Sequence, residues 1–325
     1  MQKFHGLYAA HFSVFNSRGE IDKELIHVYV EHLISQGLAG IFVNGSNGEG
    51  PNLTTAERLT VAEAFKEAAR DRIKLIVHVG HASIAEAKIL AGHAQQIGAD
   101  AVSSVAAFYF KPTSVYNLVE CMASIASAAP ELPFFYYHIP ALTGVGMDMV
   151  TFLKEGSRKI PNLKGIKYTA STLWEYQACL EIAGETMDVL YGTDEMLLSA
   201  LAVGAKGAVG STYNFAAPLY LEMIRFFEEG RMEEARARQA MLVGMVRALL
   251  RYPPIPAQKA IMKMTGLDLG SCRLPLERNL GEQQYDELFT SLNKIKFFEQ
   301  LKEAAVAALT HAATTQAPGF AEDRH

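Results

Sequence analysis

Leu163-Lys164-Gly165-Ile166-Lys167-Tyr168-Thr169 is a short apolar run interrupted by two lysines, and it is one of eight such runs in the chain. The others are Leu7–Phe12, Gly40–Val43, Lys74–Val79, Ala101–Val105, Pro133–His138, Val189–Gly192 and Gly207–Gly210, beginning about 20 to 35 positions apart. Several are rich in β-branched or aromatic residues, and all are too short for stable helices. They read as strands buried on both faces. The segments between them read as helices. Lys23 to Leu33 carries a broad apolar face, and Thr54 with Glu57 matches the capping-box signature. Ala85 to Ile97 stops at Gly98, and Met196 to Val203, apolar nearly all round, stops at Gly204.

Eight strands alternating with helices imply a parallel sheet. Even spacing favours closure into a (β/α)8 TIM barrel over an open doubly wound sheet, and no GxGxxG follows the first run. The α/β pattern ends near Tyr220. Beyond it, Glu222–Arg251, Ala257–Met264, Glu282–Leu292 and Phe297–Leu309 read as helices, with a break at Tyr252-Pro253-Pro254-Ile255-Pro256. The expected organisation is a catalytic barrel over residues 1–221, a C-terminal helical extension over 222–309 and a flexible tail over 310–325.

The chain has 325 residues, half of them apolar and one fifth charged, with a net charge of −5. This composition builds a large core and excludes a disordered chain. Mild acidity leaves no basic footprint for nucleic acid. The three cysteines, Cys121, Cys179 and Cys272, form no CxxC pair, so reduced thiols in a cytoplasmic protein are expected. The N-terminus lacks an apolar signal core, and no long uncharged apolar stretch calls for a membrane span.

In a barrel of this kind, chemistry gathers where strands end. The second run ends in Asn44-Gly45-Ser46-Asn47-Gly48-Glu49-Gly50, whose glycines open backbone conformations closed to other residues. Such a loop could cradle a carboxylate or phosphate, and is equally a tight turn with no ligand. The fifth run ends in Tyr136-Tyr137-His138-Ile139-Pro140, where a phenol could relay protons. Packing tyrosines are commoner, and His138, lacking metal-ligand spacing to His78, His81 or His93, reads as structural. In the sixth run Lys164 is expected to be solvated at the strand start. Lys167, near the strand end, loses solvation, and a free amine is what Schiff-base catalysis requires. A lysine paired with a carboxylate is the alternative. The seventh run ends in Gly192-Thr193-Asp194-Glu195, where adjacent carboxylates could bind a polyol or a metal, or could simply favour the next helix dipole. Gly210-Ser211-Thr212-Tyr213-Asn214 ends the eighth.

The order of these motifs resembles the pyruvate-dependent class I aldolases of the dihydrodipicolinate synthase and N-acetylneuraminate lyase superfamily, over roughly residues 5 to 300. Tyr136 to Val145 and Gly204 to Asn214 resemble the N-acetylneuraminate lyase branch. The other branch usually carries an arginine where this chain has Leu142. The resemblance implies reversible cleavage of N-acetylneuraminate to N-acetylmannosamine and pyruvate through a Schiff base on Lys167, with no metal and no separate cofactor. It implies that Tyr137 shuttles the proton, that Ser46 and Asn47 hold the carboxylate, and that Thr169, Gly192, Asp194, Glu195 and Ser211 line the sugar tail. It further implies a homotetramer in which Tyr109 is lent to a neighbour's site. Many lyases carry Ser-Thr or Thr-Thr in place of Ser46-Asn47, and an amide donates a hydrogen bond without relaying a proton as a hydroxyl does. The family's usual proline before the aromatic pair is absent from Ala106-Ala107-Phe108-Tyr109-Phe110. Another 2-oxo acid aldolase or dehydratase acting on a 2-keto-3-deoxy sugar acid is the alternative within the superfamily. A barrel that binds a sugar acid without catalysis is the alternative outside it.

Overall fold

In a computed structural model, which describes residues 3–315 and the side chains up to residue 308, the eight runs form a closed parallel barrel in sequence order. The strands are β1 (Gly6–Ala10), β2 (Gly40–Val43), β3 (Lys74–His78), β4 (Ala101–Val105), β5 (Phe134–His138), β6 (Leu163–Tyr168), β7 (Asp188–Tyr191) and β8 (Gly207–Gly210). The helices around it are α1 (Lys23–Ser35), α2 (Thr55–Ala69), α3 (Ile84–Gln96), α4 (Val115–Ala126), α5 (Pro140–Thr143), α6 (Met149–Lys159), α7 (Leu173–Ala183) and α8 (Leu197–Ala202). Then follow α9 (Tyr213–Glu228), α10 (Met232–Leu249), α11 (Pro254–Met264), α12 (Glu282–Lys294) and α13 (Phe297–Thr315). The capping box at Thr54 and Glu57 is formed, and Gly98 and Gly204 both adopt positive φ just past their helices. Among the described residues no helix is long and apolar enough to cross a membrane.

Strand alternation sorts the core into two clusters. Leu7, Ile41, Val77, Tyr136, Ile166 and Tyr168 face the helices. Phe4, Tyr8, Phe42, Ile76, Phe135, Tyr137, Leu190 and Val209 fill the barrel interior. Inside, Phe4 meets Phe135 edge-on at 5.1 Å and Phe42 meets Tyr137 at 5.4 Å, pairs worth ~1 kcal/mol each beyond their burial.

The interior has one break in register. Phe134 pairs with Leu163, but Phe135 pairs with Gly165, so Lys164 is an extra residue on β6. This bulge corrects the expectation that Lys164 is solvated. Its side chain is buried, with Nζ 3.5 Å from Asp188 Oδ2 and donating to the Thr186 carbonyl at 3.2 Å. Beyond the bulge, Tyr137 pairs with Lys167 and Lys167 with Leu190, which brings the lysine onto the interior face. Gly165 makes the bulge possible. Its φ is +148°, and a Cβ there would lie 1.8 Å from the Asp188 carbonyl oxygen.

The helical extension differs from the sequence reading. Glu222–Arg251 is not one helix: α9 ends at Glu228, Gly230 adopts φ +75°, and α10 restarts at Met232. Helix α9 also begins earlier, at Tyr213. Its first turns are buried on every side and so show no amphipathic pattern, and Pro218 sits inside the helix. Proline removes the bond to the carbonyl four residues back. That carbonyl, on Asn214, accepts from His32 Nε2 at 2.9 Å instead. Met196–Val203 likewise divides into a tight turn, Asp194–Met196, and α8. The tail expected from residue 310 is helical as far as Thr315, and the remainder lies outside the described residues.

Replacing Gly165 by alanine should collapse the β6–β7 junction and cost roughly 3 kcal/mol or more. Soluble yield and thermal midpoint check this. An unchanged midpoint would show that the bulge tolerates a side chain.

Candidate active site

At the C-terminal mouth of the barrel a cavity of about 280 Å³ gathers nine of the ten residues singled out in the sequence: Ser46, Asn47, Tyr137, Lys167, Thr169, Gly192, Asp194, Glu195 and Ser211. A larger concavity of about 450 Å³ lies at the opposite end, beside Phe4 and Asp188, away from these groups. Lys167 is buried, with Nζ 3.9 Å from the centre of the Tyr137 ring and 4.2 Å from that of Phe42. Among the described residues no carboxylate lies within 4.0 Å of it, which removes the reading of Lys167 as half of an ion pair. The His78 ring stands perpendicular to Tyr137 at 5.9 Å.

The loop after β2 is held from its first residue. Asn44 has φ +59°, and its N–H donates to His11 Nε2 at 2.8 Å. Its carbonyl accepts from His78 Nδ1 at 3.0 Å, and its side-chain amide donates to the Arg58 carbonyl at 2.8 Å. The Asn44 N–H requires an acceptor at His11 Nε2, so that imidazole is neutral with its proton on Nδ1, which donates to Phe12 at 2.7 Å. At the far end Glu49, φ +54°, is buried and accepts from Ser13 Oγ and from Arg273 N–H. The left-handed residues are thus Asn44 and Glu49, not the glycines as the sequence reading supposed. The glycines supply space. A Cβ on Gly48 would lie 2.6 Å from His11, and one on Gly50 would lie 2.0 Å from the Asn44 carbonyl.

Across the mouth, Asp194 is buried and accepts from the Thr212 N–H at 2.8 Å and its hydroxyl at 2.7 Å. Burial pushes its carboxyl up to about 6 despite those bonds. One of its oxygens is therefore committed to the β8 loop, which narrows the expectation that both acidic residues are free for a polyol. The Glu195 side chain is half-buried at the cavity wall, and its carbonyl accepts from Gln239 on α10. Among the described residues no group of three His, Cys, Asp or Glu side chains is placed to hold a metal ion. His138 is buried between Tyr136 and Tyr168 and makes no hydrogen bond at Nδ1.

Tyr109 does not reach this cavity. It is 78% exposed and packs edge-on against Phe110. Sequence reasoning missed the wall contributed by the C-terminal helices, namely Val246 and Leu249 of α10, Leu250, and Gln258 of α11. No local signal marks them, because their position follows from the fold-back at Pro253-Pro254. Asn44, His11 and Glu49 were also missed as supports. Their partners are distant in sequence, and only the left-handed Asn44 could have been suspected from its type. Leu142 lines the mouth, so no guanidinium stands at that position.

Residues 3–295 match the model of the dihydrodipicolinate synthetase family. The chain is 39% identical over 303 residues to N-acetylneuraminate lyase A of Xenopus laevis, covering 90% of this chain and 97% of that one. It is 36% identical over 314 residues to the human N-acetylneuraminate lyase, covering 94% and 98%. Among solved structures, the N-acetylneuraminate lyase (sialic acid aldolase) of Aliivibrio salmonicida superposes with a TM-score of 0.88 at 37% identity, covering 91% of this chain and 98% of that chain.

The buried histidines give the site a pH limit. Burial pushes the imidazoles of His11 and His138 down to about 4 from an ordinary 6.5. Between those values the unfolded chain binds a proton that the folded chain refuses, so stability is full above pH 6.5 and is lost as pH falls towards 4. Asp194 opposes this between its ordinary 3.8 and about 6, where the folded state takes the proton first. His138→Phe removes one of these groups and should flatten the acid-side fall in thermal midpoint, by up to ~3 kcal/mol near pH 4. Parallel profiles for variant and wild type would assign the acid lability elsewhere.

Proposed function

The chain belongs to the dihydrodipicolinate synthetase family, and from that premise we propose that it is a class I aldolase cleaving N-acetylneuraminate reversibly to N-acetylmannosamine and pyruvate. The observation that carries the chemistry is the placement of buried Lys167 beside Tyr137 on adjacent strands, in a cavity at the barrel mouth with no carboxylate partner for the lysine among the described residues.

The Lys167 amine adds to the C2 carbonyl of the open-chain sugar acid, water leaves, and a protonated imine forms. Breaking the C3–C4 bond sends its electron pair towards that imine, giving an enamine. The C4 hydroxyl loses its proton to Tyr137 acting with the substrate carboxylate, and C4 departs as the aldehyde carbon of N-acetylmannosamine. The proton is then delivered to C3, and water hydrolyses the resulting imine to pyruvate and free lysine. The imine serves as the electron sink. Ser46 and Asn47, on a loop fixed at both ends, receive the carboxylate. Only Ser46 of that pair carries a hydroxyl able to relay a proton, so Tyr137 bears more of the relay here than in a Ser-Thr site. Thr169, Asp194, Glu195 and Ser211 offer acceptors and donors for the hydroxylated tail, which orients it. Leu142 in place of an arginine favours the lyase branch over the condensing branch.

Assembly as a homotetramer belongs to the same reading. Support comes from the loop after β4, which leaves Phe108, Tyr109, Phe110 and neighbouring Tyr116 all exposed. Exposed aromatic clusters of this kind mark contact surfaces.

Borohydride added with pyruvate should leave a covalent adduct on Lys167, read by mass. Retained activity in a Lys167→Ala variant would end the Schiff-base assignment. Tyr137→Phe should lower kcat by ~10²–10⁴-fold while pyruvate trapping survives. Light scattering should return four times the chain mass; a monomer mass would remove the proposed role of Tyr109.

A further inference from the structure

Among the described residues no group hydrogen-bonds the Tyr137 hydroxyl. The phenol is therefore aimed by the packing of its ring. Three side chains pack on that ring: Lys167 over its face at 3.9 Å, Phe42 edge-on at 5.4 Å, and His78 perpendicular at 5.9 Å. Of these three, only the His78 side chain also hydrogen-bonds the loop that carries Ser46 and Asn47. Its Nδ1 lies 3.0 Å from the Asn44 carbonyl, the first residue of that loop.

His78 is itself held on every side. A carbonyl only accepts, so Nδ1 carries the proton, and Nε2 is left as the acceptor facing the Val105 N–H at 3.4 Å. The ring is thus a neutral imidazole spanning β2, β4 and β5. Burial, and then the Arg58 guanidinium, hold it well below its usual 6.5, so it brings no second charge towards Lys167. Arg58 is buried and donates to the His78 carbonyl at 2.6 Å and to the Gly80 carbonyl at 2.8 Å, fixing the backbone from which the ring projects. The Asn44 side chain returns to the Arg58 carbonyl at 2.8 Å, closing the circuit. At Gly80 a Cβ would lie 2.8 Å from Nε2, so the ring has no room to swing that way.

On the Lys167–Tyr137 reading above, we infer that His78 is a positioning residue that sets the Tyr137 phenol relative to the Ser46–Asn47 loop. One N–H holds the loop at its first carbonyl, and the ring holds the phenol. It lies behind the cavity wall and touches no substrate. The two groups it joins act at neighbouring points of one substrate, its carboxylate and its C4 hydroxyl. A displacement of about 1 Å between such groups is enough to cost about 100-fold in rate.

Two variants separate its two contacts. His78→Asn keeps an N–H near the Nδ1 position and removes the ring; His78→Phe keeps the ring and removes the N–H. Each is made with Tyr137 present and in a Tyr137→Phe background. Turnover of N-acetylneuraminate and borohydride trapping of pyruvate at Lys167 are both measured. His78→Asn should lower kcat by about 10- to 100-fold when Tyr137 is present and by no more than about twofold when it is not, with pyruvate half-saturation unchanged. His78→Phe should raise the pyruvate concentration for half-maximal trapping by about 5- to 10-fold and leave kcat within about threefold. Equal losses in both backgrounds would overturn the inference, because a merely structural residue costs the same with or without the phenol. So would variants matching wild type within about twofold, or the failure of both variants to fold. Failure of wild type to trap pyruvate, or full activity in Tyr137→Phe alone, would instead overturn the Schiff-base reading, and the two failures are thereby distinguished.

Discussion

The placement of Lys167 beside Tyr137 rests on one extra residue in one strand. Because side chains alternate along a strand, a slip of a single position exchanges its inner and outer faces. Lys164 is the residue without a partner on β5, and from Gly165 onward the register brings Lys167 level with Tyr137 on the interior face. The bulge needs a glycine, because the Asp188 carbonyl occupies the space of a Cβ at position 165. It also needs an anchor for the lysine it turns inward, and Asp188 supplies this beside the Phe4 N–H, which donates to the same carboxylate at 3.2 Å. Breaking one partner of such a buried pair leaves a charge uncompensated.

A second constraint acts on the loop after β2. It begins at Asn44, gripped by two imidazoles, and ends at Glu49, whose carboxylate is gripped by Ser13 and Arg273. Arg273 also reaches Glu57 of α2 at 2.7 Å. The segment after α11 therefore fixes the loop from outside, while α10 and α11 wall the cavity from above. The helical extension thus supplies part of the cavity wall and is not only its neighbour. This follows from the short reach of hydrogen bonds: groups that must be held within tenths of an ångström need partners in direct contact, wherever in the chain those partners arise.

Much of this was legible in the sequence. Buried parallel strands read as continuous apolar runs, so all eight were visible, each to within a residue or two. Closure followed from their number and spacing, the strand-end rule pointed to the loops, and the family resemblance then picked out Ser46, Asn47, Tyr137, Lys167, Thr169, Gly192, Asp194, Glu195 and Ser211 within them, which share one cavity. Where the pattern failed, it failed for physical cause. Helix α9 is buried on all sides at its start, and its Pro218 is excused by His32, a residue far away in sequence. Lys164 looked solvated because a lysine at a strand start usually is, and nothing local announces Asp188 as its partner.

The sequence by itself determined the strands, the barrel and the residue types at the strand ends, because these depend on apolar periodicity and on local backbone preference. Tertiary structure alone decided the register of β6, the clamp on Asn44, the commitment of Asp194 to Thr212 and the arrival of Gln258 at the cavity wall. Each of these is a contact between segments separated by many residues. Such a contact is set by how the closed barrel brings segments together, which no window along the chain contains.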